Sequence, residues 1–282
     1  MRIASRTILA VLLPALVCVG FLAHIQLLRG KLFQPKTLTV FVFDIGQGDA
    51  IFIDGPEKQV LIDGGPDAAL LEKLQSVMLP WDRSLDLLIV THPHADHLMG
   101  LVPVLKNYKV DLVADSGQGY AAPEFREYKR LAPDAVQLKA GDTYDLGHGA
   151  RLDIIWPSDP YSNEVLEDPN DGSVTALLTY GETTMLLTGD AGVAEEAGWL
   201  LPHVDVLKAG HHGSRTSTSE QLLQMITPGV AIISVAADNS YGLPDEDVLA
   251  RLEKFDVAVY RTDLQGDIRV MSDGGEPVVD MP

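Results

Sequence analysis

The stretch "THPHADHLMG", Thr91 to Gly100, places three histidines and an aspartate within the six residues His92 to His97. It follows directly on "LDLLIV", an apolar run that reads as a buried strand. A chain leaving a strand is still extended, so side chains two apart point the same way. His92 and His94 therefore converge on one point. Asp96 and His97, just beyond, turn toward a second point nearby. Neutral imidazole and carboxylate are the donors that zinc and similar divalent ions take where thiolate is absent. Four such groups packed together without an ion would cost stability, so the spacing predicts a metal centre at the mouth of a strand.

Composition narrows the chemistry. The single cysteine, Cys18, excludes a disulfide framework and a thiolate metal site within one chain. Against 40 Asp and Glu stand 21 Lys and Arg, a formal charge of −19. Such a chain has no global attraction for polyanions, and any nucleic-acid contact has to be local, at a metal or a small basic patch.

The N-terminus is a separate unit. Arg2 and Arg6 precede a 16-residue stretch without charge, Ile8 to Ala23. As a helix it would span about 24 Å, a little short of a bilayer core of about 30 Å. Continuing through "HIQLL" lengthens it. A cleaved signal peptide competes with an uncleaved anchor. Cleavage after Ala23 would set Phe21 where a small residue is wanted, which favours the anchor. Arginines on the short side keep that end cytoplasmic and put the remainder outside the cell membrane, as a single-pass protein. Secretion after signal cleavage is the alternative. Residues 1–30 are thus expected to be a transmembrane anchor or signal segment, 31–37 a linker, and 38–282 one domain.

That domain alternates strands and helices in both halves. "TLTVFVFD", "AIFID" and "QVLIDGG" read as strands, "DAALLEKLQSVML" as a helix, and "LMGLVPVLKNY" as another helix despite Pro103. "SVTALLTYG", "TTMLLTGD", "VDVLKAG" and "VAIISVA" are strand-like, with helices in "STSEQLLQMIT" and "DEDVLARLEKF". The pattern predicts an α/β domain with strands packed between helical layers. Ser158 to Gly172 is a long acidic loop without apolar period, a kind often functional in compact domains.

"HPHADH" resembles the signature of the metallo-β-lactamase superfamily, whose fold is a four-layer αββα sandwich around a di-metal site. "FDIGQGDAIFI" (Phe43 to Ile53), "LIDGG" (Leu61 to Gly65), "LLTGD" (Leu186 to Asp190), "LKAGHHGS" (Leu207 to Ser214), "AIISV", "NSYGLP" and "RTDLQGDI" follow in the order of one subfamily. That order looks like the C-terminal hydrolase domain of ComEC-type DNA-uptake (competence) proteins, over about residues 38 to 272.

The resemblance implies two divalent ions, zinc first and manganese second. They would be held by His92, His94, Asp96, His97, His211 and a bridging Asp190. His212 would be an alternative ligand or a proton donor. Asp96 and Asp190 would orient the attacking water. Asp63 would orient a ligand, and Asp44, Gln47 and Asp49 belong to a Gly-rich turn near the site. Lys208, Ser214, Arg215 and Asn170 are candidates for holding an anionic substrate. Many superfamily members carry a third histidine where this chain reads "PNDGSV", which leaves the first metal open or completed by Asp171. Leu243 stands in "YGLP" where the subfamily often has histidine. His148 and His203, in turns elsewhere, read as structural. The function implied is a metal-dependent phosphodiesterase, on DNA or a related substrate. The alternatives are hydrolysis of another envelope ester, lactone or lactam, and a non-catalytic extracytoplasmic metal-binding module.

Overall fold

The computed structural model describes residues 36–282. The expected anchor or signal segment (1–30) and all but the last two residues of the expected linker lie outside the described residues. Lys36 and Thr37 lead into the first strand.

In chain order the first half holds β1 (Leu38–Val42), β2 (Ile51–Asp54), β3 (Gln59–Ile62), α1 (Ala69–Val77), β4 (Ser84–Val90), α2 (Ala95–Leu98), α3 (Leu101–Asn107), β5 (Lys109–Asp115), α4 (Pro123–Leu131) and β6 (Val136–Gln137). The second half holds β7 (Thr143–Gly147), β8 (Ala150–Trp156), β9 (Thr175–Tyr180), β10 (Thr183–Leu187), α5 (Val193–Glu196), β11 (Val206–Lys208), α6 (Glu220–Ile226), β12 (Val230–Ile233), α7 (Glu246–Lys254), β13 (Ala258–Arg261), α8 (Thr262–Gln265), β14 (Ile268–Ser272) and β15 (Val278–Asp280). One sheet runs β15-β14-β1-β2-β3-β4-β5-β6 and the other β13-β12-β11-β10-β9-β8-β7. β14 returns to pair antiparallel with β1, so the C-terminal residues close the first sheet.

Strand periodicity builds the layers. In β2, Ile51 and Ile53 face the space between the sheets, while Phe52 faces the helices. Leu87 and Ile89 of β4 join the inter-sheet core, and Leu88 and Val90 pack outward. In β10, Met185 and Leu187 point inward and Leu186 outward. Successive side chains of a strand alternate between its faces, so a strand covered on both faces must be apolar at every position. That is why "LLIV" and "MLL" carry no polar alternation.

On the outer face of the first sheet lie Leu70 and Leu74 of α1, Leu101 and Val104 of α3, and Phe125 and Tyr128 of α4. On the second lie Leu222, Leu223 and Ile226 of α6 with Val248 and Leu252 of α7. These pairs sit three or four residues apart, the spacing of one helical face. The expected αββα order is what the described residues form.

Helix ends follow local chemistry. Ser219 caps α6 by accepting the Leu222 N–H at 3.1 Å, and Asp245 caps α7 by accepting from Asp247 N. Pro123 opens α4, where its missing N–H costs nothing. "LMGLVPVLKNY" is not one helix: α2 ends at Leu98 and α3 begins at Leu101. Gly100 lies against the turn after β3, where a Cβ would sit 1.8 Å from the Gly64 carbonyl oxygen. Its N–H donates to Gly65 O, and Gly64 N–H donates to His97 O at 2.7 Å. This close approach clamps α2 to the end of β3 and fixes Asp96 and His97. Pro103 falls at the third residue of α3, where an N–H has no partner inside the helix.

Candidate metal centre

The site lies where strands of both sheets end. β3 delivers Asp63, β4 delivers Thr91 and His92, β10 leads to Asp190, and β11 leads to His211 and His212. Asp63 is fully buried with φ +59°, a left-handed conformation that aspartate tolerates better than most side chains. Its Oδ1 accepts the Thr91 N–H at 2.8 Å, and its Oδ2 accepts the Thr91 hydroxyl at 2.6 Å. His97 Nδ1 lies 2.8 Å from the same Oδ2. A carboxylate only accepts, so Nδ1 carries the proton and Nε2 faces the site. Thr91 spends its one hydroxyl hydrogen on Asp63. It can then only accept from His92 Nδ1, 3.0 Å away, which turns His92 Nε2 inward. One carboxylate thus orients two imidazoles.

Two sets of donor atoms meet at Asp190. His92 Nε2 is 3.1 Å from His94 Nδ1 and 3.8 Å from Asp190 Oδ2. His97 Nε2 lies 3.3 Å from Asp190 Oδ2 and 3.3 Å from His212 Nε2. His212 Nε2 is 3.4 Å from both Asp96 Oδ2 and Asp190 Oδ2. His212 donates through Nδ1 to Ser234 O at 3.1 Å, which aims its other nitrogen at the cluster. Ser173 Oγ accepts the Asp190 N–H at 3.1 Å and lies 3.2 Å from His92 Nδ1.

The histidine doublet divides by backbone conformation. His211 and His212 both take left-handed angles, φ +47° and +53°. Non-glycine residues adopt these at a cost of about 1–2 kcal/mol each. The turn buries His212, 2% exposed, among the donors. His211 stays at the rim, with Nδ1 3.1 Å from Thr216 Oγ1 and Nε2 3.9 Å from Asp190 Oδ2. The resemblance put His211 among the ligands and His212 as its alternative; the structure brings His212 into the cluster with Asp96 and His97.

Charge inside the cluster is shared. Burial pushes His97 down, but Asp190 and Asp63 outweigh it and hold the imidazole well above its ordinary value. His212 is raised in the same way, against burial, by Asp190 and Asp96. Burial and the neighbouring His97 push His92 well below. Asp190 is held well below the carboxylate range despite burial, by His212 and His97. Asp96 is lowered too, where a hydrogen bond from His212 and the charge of His97 outweigh burial.

The donor set fits divalent metal. Asp190 Oδ1 is buried and finds no hydrogen-bond donor among the described residues, which is costly for a carboxylate oxygen. Only nitrogen and oxygen donors converge, the set that zinc or manganese takes in the absence of sulfur. Every group of donors close enough to share an ion, among the described residues, draws on this cluster or on Asp49 and Asp63 behind it.

Beside the cluster opens a cavity of about 340 Å³, lined by His94, Asp96, Asp190, His211 and His212, and by Gln47, Tyr120, Asn170, Tyr241 and Leu243. A larger cavity, about 410 Å³, lies at the N-terminal ends of β3, β4 and β5, away from these donors. The expected substrate contacts divide. Asn170 reaches the cavity, 8% exposed, with its Oδ1 unpartnered among the described residues. Lys208 does not: it is fully buried, its Nζ 2.9 Å from Asp49 Oδ2 and donating to Ala209 O. It is a core cation neutralising a buried carboxylate, not a substrate contact. Arg215 is turned to Asp245 at 2.7 Å, and Ser214 is bonded to Thr216; neither lines the cavity.

Asp49 Oδ1 lies 3.6 Å from His212 Nδ1, so it sits directly behind that imidazole. Asp44 bonds within its own turn, to Gly46 N, and does not enter the cluster. Asp171 is exposed; its backbone N–H donates to Asp168 O, its backbone oxygen accepts from Trp156 and Tyr161, and its carboxylate joins none of the donor groups. It does not supply the missing third donor. His148 and His203 are exposed and pair locally with Glu57 and Asp205, as structural side chains do. Thr91, Ser173, Tyr120 and Tyr241 had no assigned role in the sequence, whereas Gln47, expected in the Gly-rich turn near the site, does line the cavity. Thr91 stood inside the motif itself, and Ser173 in the segment where a histidine was missing.

A two-sheet sandwich that gathers imidazoles and carboxylates at its strand ends defines a class of metal-dependent hydrolases. The chain belongs to the metallo-beta-lactamase superfamily, whose family model matches residues 43–237. It is 34% identical over 247 residues to Recombination protein 2 of Haemophilus influenzae, covering 85% of this chain and 29% of that protein. With Competence protein ComA of Neisseria gonorrhoeae it shares 29% identity over 262 residues, 90% of this chain and 34% of the other. Exodeoxyribonuclease WalJ of Streptococcus pneumoniae is 26% identical over 174 residues, 60% of this chain and 64% of that one. The expected resemblance to ComEC-type competence proteins therefore holds. The chain spans about a third of the length of the first two relatives.

Proposed function

We propose that this chain is a divalent-metal-dependent phosphodiesterase that cleaves DNA or a related phosphodiester. The observation that carries the reading is the convergence of six imidazole and carboxylate side chains, of which His94, Asp96, Asp190 and His212 line a cavity. The kinship to proteins named for recombination, competence and exodeoxyribonuclease activity supports a nucleic-acid substrate. We assign His92, His94 and Asp190 to one ion, and Asp96, His97, His212 and Asp190 to the other, with zinc first and manganese second. Bound divalent ions supply Lewis acidity and lower the pKa of water toward neutrality.

The protein side chains do the rest. Asp63, through His97 and Thr91, holds Nε2 of His97 and of His92 toward the centre. Asp96, a third exposed at the cavity mouth, accepts a hydrogen bond from the attacking water and orients it. Asn170 offers an amide to a substrate oxygen. The leaving oxygen takes its proton from water; burial holds the His211 imidazole, on the cavity wall, below its ordinary value, which suits it to accept a proton rather than to give one.

Hydrolysis of a labelled single-stranded oligonucleotide and of an aryl phosphodiester, with zinc and with manganese, tests the reading. We expect slow turnover that chelator abolishes. The salt dependence should be shallow, because no lysine or arginine among the described residues lines the cavity. Opening of lactams or lactones by metal-replete protein that leaves both phosphodiesters intact would reject it, and no turnover at all would favour a metal-binding module.

We further propose that residues 8–23 anchor the chain in the cell membrane with the hydrolase domain outside the cytoplasm. Arg2 and Arg6 before an uncharged run support this. Among the described residues no helix is long and apolar enough to cross a membrane. Fractionation of the full-length chain with membranes is the expected result; a soluble form beginning near residue 24 would contradict it.

A further inference from the structure

The cavity beside the donor cluster has an unusual wall for a site proposed to bind a polyanion. Its remaining lining is uncharged: Gln47, Tyr120, Asn170, Tyr241 and Leu243. The two cations nearest in sequence to the metal motifs are committed elsewhere, Lys208 to buried Asp49 and Arg215 to Asp245. Affinity beyond the metals therefore has to come from something other than phosphate charge pairs.

Two tyrosines supply it. Tyr241 is 74% exposed although it lines the cavity. An exposed aromatic ring is usually mobile, but this one sits on a braced turn. Asn239 Oδ1 accepts the N–H of Tyr241 at 3.2 Å and of Leu243 at 2.9 Å. Asn239 Nδ2 donates to the carbonyls of Ala236 and Leu243. The turn thus holds a bare aromatic face at the cavity mouth. Tyr120 comes from the other half of the sandwich, in the segment after β5. Its ring packs edge-on against His94, centroids 5.9 Å apart, and against Phe125 at 6.2 Å. Neither hydroxyl is needed for the metal cluster. Aromatic rings beside a phosphodiester-cleaving centre, one packed against its neighbours and one carried on a braced backbone turn, are stacking surfaces for nucleobases, and stacking tolerates any base because each has a π face.

We propose that Tyr120 and Tyr241 form a nucleobase clamp at the mouth of the cavity, so that this site selects unpaired nucleotides by stacking rather than by charge. The proposal rests on the phosphodiesterase reading of the same site. A base inside a duplex has both faces covered and must leave the stack to be gripped. The clamp therefore favours single strands, with little preference among bases.

The test is binding of thymidine 5′-monophosphate and of 2-deoxyribose 5-phosphate to the zinc-loaded full-length chain, by calorimetry. The two ligands carry the same phosphate on the same sugar, with a hydroxyl at C1 of the second in place of the base. Wild-type protein should bind the nucleotide on the order of 5- to 150-fold more tightly, the range reported for one stacked base. Tyr241→Ala should erase most of that difference while the base-free ligand still binds, and Tyr241→Trp should restore it. Tyr120→Ala should reduce it as well. Equal affinity of wild-type protein for the two ligands, binding of neither, or a difference that survives both alanine variants would overturn the clamp. A nucleotide preference in a protein that cleaves no phosphodiester would reject the proposed activity and leave the clamp standing.

Discussion

Asp190→Asn is expected to lower phosphodiester turnover by about a thousandfold or more and to reduce bound metal from about two ions per chain to one or fewer, in a protein that still folds. Asp190 Oδ2 lies 3.3–3.9 Å from a nitrogen of His92, His97, His211 and His212. No other carboxylate among the described residues lies within 4 Å of a nitrogen of all four. Asparagine keeps the shape but removes the charge that both donor sets share. The fold should tolerate the change, because the backbone N–H of residue 190 still donates to Ser173 Oγ and the side chain keeps its volume. Elemental analysis, turnover and a denaturant melt measured together separate the outcomes. Unchanged metal stoichiometry would remove Asp190 from the shared position.

Asp63→Ala should act without touching substrate. This carboxylate orients His97 directly and His92 through Thr91, one imidazole from each donor set. Loss of such a supporting partner typically costs 10- to 100-fold in metal affinity. With both sets affected, the upper end of about a hundredfold is the expectation. Alanine also strands the buried Thr91 N–H and hydroxyl and puts a β-carbon without local hydrogen bonding at φ +59°. A stability loss of about 2–4 kcal/mol follows. Asp63→Asn separates the two effects. Asparagine accepts from Thr91 and tolerates the left-handed conformation, so stability should largely return. Its single acceptor oxygen cannot serve Thr91 and His97 as the carboxylate does, so weakened metal binding should persist. Equal recovery of both properties in the asparagine variant would mean that Asp63 is only a structural residue.

The fold was legible because it rests on local patterns. Unbroken apolar strands such as "LLIV" say that both faces are covered, and the three-and-four spacing in "DEDVLARLEKF" marks one covered face of a helix. Short elements escaped, among them β6, β7 and β15, since two to five residues at a sheet edge carry too little pattern. The break at Gly100 was hidden because its cause is a carbonyl 36 positions earlier in the chain, at Gly64.

In the site, the donors crowded into "HPHADH" could be read from strand geometry. The choice between His211 and His212 could not, since two consecutive left-handed residues decide it. Lys208 misled for a related reason. Its place beside a metal motif suggests an anion contact, while its true partner, Asp49, lies far away in sequence. Tyr120 and Tyr241 sit in irregular segments, where no periodicity signals a shared cavity.

X-ray absorption at the zinc edge, on full-length protein loaded with zinc, tests the paired donor sets most directly. The account predicts shells of nitrogen and oxygen only, rich in imidazole, with a metal–metal scattering vector at about 3.5–4 Å. A single ion per chain, with no metal–metal vector at saturating zinc, would contradict it.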